Sequence, residues 1–156
     1  MRRITHQRYA EVVAEGLSCY PDNVRRLVEH ADVFVGDPNF ADLHRCRLGV
    51  DGIGYEECVA HCVYAYHQLH LPASRRRTTV VLNPRGMPSV GTVVHEFGHV
   101  LHEVVGWDWV ARPITEYAES DRYEAFAEAC MGWLSWSDYG EPLDPATFAL
   151  LEGLAA

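Results

Sequence analysis

The chain has no apolar run approaching the roughly 20 residues that span a bilayer, so no transmembrane helix is expected. A secretory h-region is also missing: Met1-Arg2-Arg3 opens with positive charge, but Thr5-His6-Gln7-Arg8 follows where an apolar stretch would stand. A cytoplasmic protein is the expectation. Positive charge is scarce. Lys+Arg number 13 against 22 Asp+Glu, and 13 − 22 = −9, a balance that argues against nucleic acid as the partner. The single basic cluster, Arg75-Arg76-Arg77, is short and reads as a solvated turn before a strand. No CxxC pair occurs among Cys19, Cys46, Cys58, Cys62 and Cys130, and five scattered cysteines fit thiols kept reduced in a cytosol. Cys58-x-x-His61-Cys62 finds no matching pair elsewhere to complete four zinc ligands, so these read as buried helix cysteines. Internal repeats and low-complexity segments are absent as well.

What is present is an ordinary globular balance, 48% apolar and 22% charged over 156 residues, which fits one domain spanning 1–156 with one core. Residues 7–17 and 22–30 read as short helices, the second opened by Pro21-Asp22. Asp32–Val35 reads as a strand, and residues 36–53 mostly as loop. Apolar residues at Tyr55, Cys58, Val59, Cys62, Val63, Tyr66 and Leu69 alternate between three- and four-residue spacing, which predicts an amphipathic helix. The β-branched run Thr78–Leu82 predicts a strand, taken as a sheet edge to which an extended peptide adds. A helix from about Ser89 to Val105, closed by Gly106, follows it. Two last helices run from about Ser120 to Ser135 and from Pro145 to Leu154, with Ser120 and Asp144 as N-caps.

The chemistry sits in the helix Thr92-Val93-Val94-His95-Glu96-Phe97-Gly98-His99-Val100-Leu101-His102. Histidines four apart lie about 40° from each other round a helix, one turn along, so both imidazoles reach one ion. Glu96 stands about 100° round from His95, beside the metal, where it takes a proton from activated water. The composition predicts only about 0.04 chance occurrences of H-E-x-x-H. Gly98 leaves out a side chain where the helix packs closely. His102 shares the face of the two histidines but lies about 10 Å along the axis from His95, too far for the same ion. A surface role, or one behind the ligands, is expected of it.

Two histidines do not complete a catalytic zinc site, which takes three protein ligands and an open position. The metzincin pattern fails, because the positions that need Gly and His hold His102 and Val105. Carboxylates on a second helix remain: Glu116, Glu119, Glu124 and Glu128. Glu124 and Glu128 share one side of Arg122-Tyr123-Glu124-Ala125-Phe126-Ala127-Glu128-Ala129-Cys130, whose alanines indicate close packing. Buried carboxylates need a partner, and a divalent cation supplies one. Spacing alone leaves Glu124 and Glu128 level as the third ligand.

These residues resemble a known family. His95-Glu96-Phe97-Gly98-His99, Tyr117 and Glu124-Ala125-Phe126-Ala127-Glu128-Ala129 look like the catalytic domain of anthrax lethal factor and its relatives, among them secreted proline-specific clostridial endopeptidases and many small phage-encoded peptidases. The likeness covers roughly residues 92–134. Ala125 departs from it where the family often has an aromatic, and the linker from His99 to Glu124 is short. By this resemblance Glu124 is the third zinc ligand, Tyr117, seven residues earlier, points at the reaction centre, and Glu128 orients a ligand histidine.

The expectation is thus an α+β, zincin-like domain in which a short mixed sheet packs on the HExxH helix and a second, glutamate-bearing helix. Its function would be zinc-dependent hydrolysis of a peptide or protein substrate. Metal ligands would be His95, His99 and Glu124, with Glu96 as general base and Tyr117 assisting at the oxyanion or leaving group. Trp107, Trp109, Trp133 and Trp136 cluster round the expected site, as core residues or as an apolar wall against substrate. The alternatives are a regulatory peptidase acting on one protein partner, which a helix-turn-helix would support and none is seen, and a catalytically silent zinc-binding domain serving as a regulatory or phage structural module. The retained Glu96 speaks against the silent reading.

Overall fold

Residues 6–35, 60–63, 72–75, 77–82, 88–106, 108–119, 121–134 and 142–156 are described by a computed structural model of the chain. In order they form α1 (His6–Ser18), α2 (Asp22–Val28), β1 (Asp32–Val35), β2 (Ala60–Val63), a 3-10 turn at Ala73–Arg75, β3 (Thr79–Leu82), α3 (Val90–Val105), α4 (Glu116–Glu119), α5 (Arg122–Trp133) and α6 (Pro145–Ala155). The result is a small mixed α/β domain, mostly helical. Among the described residues no helix is long and apolar enough to cross a membrane.

The sheet order is β1-β3-β2, with β1 parallel and β2 antiparallel to β3. All four residues of β3 are buried, as expected of a β-branched run with neighbours on every side. The expectation that this strand forms a sheet edge is therefore corrected. Asp32 to Val35 pair with Thr79 to Leu82 on one side, and Ala60 to Val63 pair with Leu82 to Thr79 on the other. A strand this deeply buried would leave interior N–H and C=O groups unmatched at an edge.

A second correction concerns the helix expected over residues 55–69. Its centre, Ala60–Val63, is a strand; residues 55–59 and 64–69 lie outside the described residues, as does the expected loop 36–53. Ala60 and Cys62, two apart, both pack against the core, so the stretch also satisfies the strand period. The demand of β3 for a second partner decides between the two periods. Cys62 is thus a half-buried strand thiol and not a helix cysteine; Cys58 lies outside the described residues.

Among the described elements, α3 is the one the others pack around. Ser89 caps it, its Oγ accepting the Thr92 N–H at 3.0 Å. Gly106 ends it at φ 114, a conformation only glycine adopts easily, and donates its N–H to the His102 carbonyl at 2.9 Å. Val93, Val94, Phe97, Val100 and Leu101 are fully buried. Neighbours α1, α2, β2 and α5 pack around it, α5 most extensively. On the α1 side a Cβ built on Gly16 would meet Val93 Cγ1 at 2.5 Å, so the glycine permits that approach. The Tyr20 hydroxyl donates to the Val94 carbonyl at 2.7 Å in the interior.

Helix α5 starts one residue later than expected. Its cap is Asp121, whose Oδ1 accepts the Tyr123 N–H at 2.8 Å; Ser120 lies outside the described residues. The short α4 carries no apolar periodicity of its own and was not foreseeable from pattern. For α6 the expected Asp144 cap is present, Oδ1 accepting the Thr147 N–H at 2.9 Å. Trp109 and Trp133 are partly buried against the core and tie their segments to α6, donating Nε1–H to Thr147 Oγ1 at 3.2 Å and to Glu152 Oε1 at 2.7 Å. Trp107 and Trp136 lie outside the described residues.

Candidate metal centre

Close packing of α3 against α5 is what brings histidines and glutamates together. Ala127 and Cys130 of α5 are buried against α3, and the small side chain of Ala127 lets the two helices approach. Opposite them Gly98 lacks a side chain: a Cβ at that position would lie 3.0 Å from Ala127 Cα and 3.3 Å from its carbonyl oxygen.

At this crossing Glu124 Oε2 accepts the His95 Nε2–H at 2.9 Å and stands 3.5 Å from His99 Nε2. The two imidazoles meet edge to face, with centroids 4.9 Å apart and planes at 86°. One donor atom from each of His95, His99 and Glu124 falls within 4.8 Å of the others. This group can hold a metal ion. Glu128 faces the other nitrogen of His95, its Oε1 3.3 Å from Nδ1. The structure thus distinguishes two glutamates that spacing left level: Glu124 meets both histidines on the side where they converge, while Glu128 backs one of them.

With protons in place of a cation, the group is an ion pair. Burial disfavours a charged His95, but hydrogen bonds to Glu124 and Glu128 and the charges of Glu96 and Glu124 outweigh it, holding its pKa up at about 10. Burial likewise works against a charged Glu124, yet hydrogen bonds to His95 and His99 and their charges keep its carboxyl well below the usual range. The Cys62 thiol is pushed well above its ordinary value by burial and by the carboxylates of Glu96, Glu103 and Glu124. It is not a member of the group of donor atoms formed by His95, His99 and Glu124.

Glu96, one residue after His95, is buried. Tyr117 is carried on α4, 56% exposed, with its ring centroid 6.5 Å from that of His95. A cavity of about 540 Å3 opens beside the group, lined by Ser89, Val90, Gly91, Thr92, His95, Tyr117, Glu128 and Met131. Sequence reasoning did not single out the lining of this cavity beyond His95, Tyr117 and Glu128. Helical spacing carried the signal, since Gly91 and Thr92 precede His95 by four and three residues and Met131 follows Glu128 by three.

His102 is corrected from a surface position. It is completely buried, stacked on Phe126 with centroids 4.4 Å apart and planes at 13°, and its Nε2–H donates to the Trp109 carbonyl at 2.9 Å. Its Nδ1 has no hydrogen-bond partner among the described residues. Burial lowers its pKa to about 4, with the charges of His99 and Arg122 adding to the effect against the Trp109 hydrogen bond. It is a neutral core histidine outside the donor group.

Compared with protein-family models, curated proteins and solved structures, the chain finds no match, and the reading of this site rests on its own residues.

Proposed function

We propose that the chain is a zincin-like, zinc-dependent metallopeptidase acting on a peptide or protein substrate. The observation that carries this reading is the convergence of His95, His99 and Glu124, with Glu124 Oε2 2.9 and 3.5 Å from the two Nε2 atoms. Zinc bonds of about 2.0–2.1 Å in tetrahedral array put neighbouring donors about 3.3 Å apart. The two distances fall on either side of that value, and two imidazoles with one carboxylate suit zinc. Three protein donors leave a position open, the arrangement of catalytic rather than structural zinc.

His95, His99 and Glu124 would hold the ion, which when bound lowers the pKa of water from 15.7 towards about 7 and polarises a carbonyl. Glu96 is the general base: its carboxylate accepts the proton of the attacking water and delivers it to the leaving nitrogen. Glu128, against His95 Nδ1, fixes the tautomer and orientation of that ring, so that Nε2 stays directed at Glu124. Tyr117, at the edge of the cavity, brings a hydroxyl donor to the developing oxyanion or to the leaving group. The cavity offers room for substrate beside His95.

Zinc content and cleavage of a peptide library, measured on the wild type, Glu96→Ala and Glu124→Ala, test the proposal. Glu96→Ala is expected to keep zinc and lose turnover, and Glu124→Ala to lose most of both. If Glu128→Ala releases the metal while Glu124→Ala retains it, the ligand assignment is wrong. Wild type that holds zinc and cleaves nothing points to the silent zinc-binding domain instead.

A further inference from the structure

The two donor pairs share a register about one contact. On α3, His95 and His99 lie three residues before and one after Gly98; on α5, Glu124 and Glu128 lie three before and one after Ala127. Gly98 and Ala127 are where the helices touch backbone to backbone, a Cβ on Gly98 coming to 3.0 Å from Ala127 Cα, 3.3 Å from Ala127 O and 3.3 Å from Cys130 Cβ. We infer that the Gly98–Ala127 contact is a positioning element that sets the separation of the histidine and glutamate donors, and with it the size of ion the site accepts. This inference rests on the metal-binding reading above.

The physical argument concerns which body moves. An added methyl at Gly98 meets main-chain atoms, which have no rotamer to change, so the helices themselves must separate by a few tenths of an ångström. Helix α3 has no room to retreat. On the α1 side Gly16 already approaches so closely that its own Cβ would meet Val93 at 2.5 Å, and the Tyr20 hydroxyl grips the Val94 carbonyl. The strain is therefore taken up by α5, which carries Glu124 away from both histidines together. All three donors remain in the chain, but the gap they enclose widens. A widened gap suits a larger divalent ion better than zinc, since selectivity among similar ions follows geometry as well as donor type.

The test is a competition titration with a chromophoric chelator, using zinc and cadmium separately, on metal-free wild type, Gly98→Ala and Gly16→Ala, with circular dichroism to establish folding. Gly98→Ala is expected to weaken zinc binding by about tenfold or more, the scale of other disturbances just behind the ligands, and to weaken cadmium binding less. Gly16→Ala disturbs the opposite side of α3, where no donor pair lies across the contact. It is expected to lower thermal stability and leave the cadmium-to-zinc preference at the wild-type value. Should Gly98→Ala fail to fold, Ala127→Ser adds a single atom at the same junction and is expected to shift the preference in the same direction. A folded Gly98→Ala or Ala127→Ser with wild-type preference overturns the inference while leaving the metal site intact, as does an equal shift in Gly16→Ala. Wild type that takes up neither ion removes the metal reading and this inference with it.

Discussion

Replacing His102 by phenylalanine should make the protein less stable at neutral pH and more stable in acid. The native imidazole is 0% exposed, stacked on Phe126 and held neutral, with a pKa lowered from 6.5 to about 4. As pH falls below 6.5 the unfolded chain takes up a proton that the folded chain refuses until about pH 4. The unfolded state binds more protons in that window, so stability falls with falling pH, by about 1.4 kcal/mol per unit once well inside it. By pH 4 the loss from this residue is about 3 kcal/mol, after which it levels off. His102→Phe keeps a ring against Phe126 and abolishes the titration, but it forfeits the hydrogen bond to the Trp109 carbonyl, worth about 1 kcal/mol. The variant is thus expected to trail the wild type by about 1 kcal/mol at pH 7.5, to match it near pH 6 and to lead by about 2 kcal/mol at pH 4. Urea titrations of metal-free protein, followed by tryptophan fluorescence at each pH, give the difference directly. The other titrating groups are present in both proteins and cancel to first order. A stability difference that stays constant from pH 7.5 to 4 would refute the assignment of a neutral, proton-refusing His102.

Three further outcomes follow from other contacts. Glu128→Gln should lower zinc affinity by about 10- to 100-fold, and should also lower the metal-free melting temperature, because the Glu128 carboxylate helps hold a charged His95; chelator competition and calorimetry would show the two effects. Zinc uptake near pH 7 should release a proton, because the His95 pKa of about 10 means the metal-free imidazole is charged there and a ligand nitrogen must be free; affinity then rises with pH, and calorimetry in buffers of different ionisation enthalpy counts the proton. Asp144→Ala removes the acceptor of both the Thr147 and the Arg112 backbone N–H and should cost about 1–2 kcal/mol in a denaturant titration.

Elements whose signals are local were legible in the sequence. Helix α3 declares both its ends through Ser89 and Gly106, β3 through its β-branched run, and α6 through Asp144 followed by proline. Strand β2 was not, because its apolar spacing satisfies two periods and only the demand of β3 for a second partner chooses between them. The central place of β3 was hidden for the same reason. At the site, the H-E-x-x-H spacing identified two donors directly. For the third, spacing left Glu124 and Glu128 level, with the same residue type on the same face, and the family resemblance chose Glu124, which the structure groups with both histidines. Of the two roles expected for His102 the surface one fails, because a helical wheel places it with His95 and His99, while the ring that covers it, Phe126, arrives from another helix.

Helix α3 is enclosed by α1, α2, β2 and α5, with every residue from Glu96 to His102 buried. A strut so wedged has nowhere to go when its cargo leaves. An empty site should therefore keep the architecture of a filled one, so that the affinity of an ion held there reflects the cradle and the proton it displaces, with none of it consumed in assembling the chain. On the metallopeptidase reading proposed above, loss of the metal would silence the molecule without dismantling it, ready to resume when the supply returns.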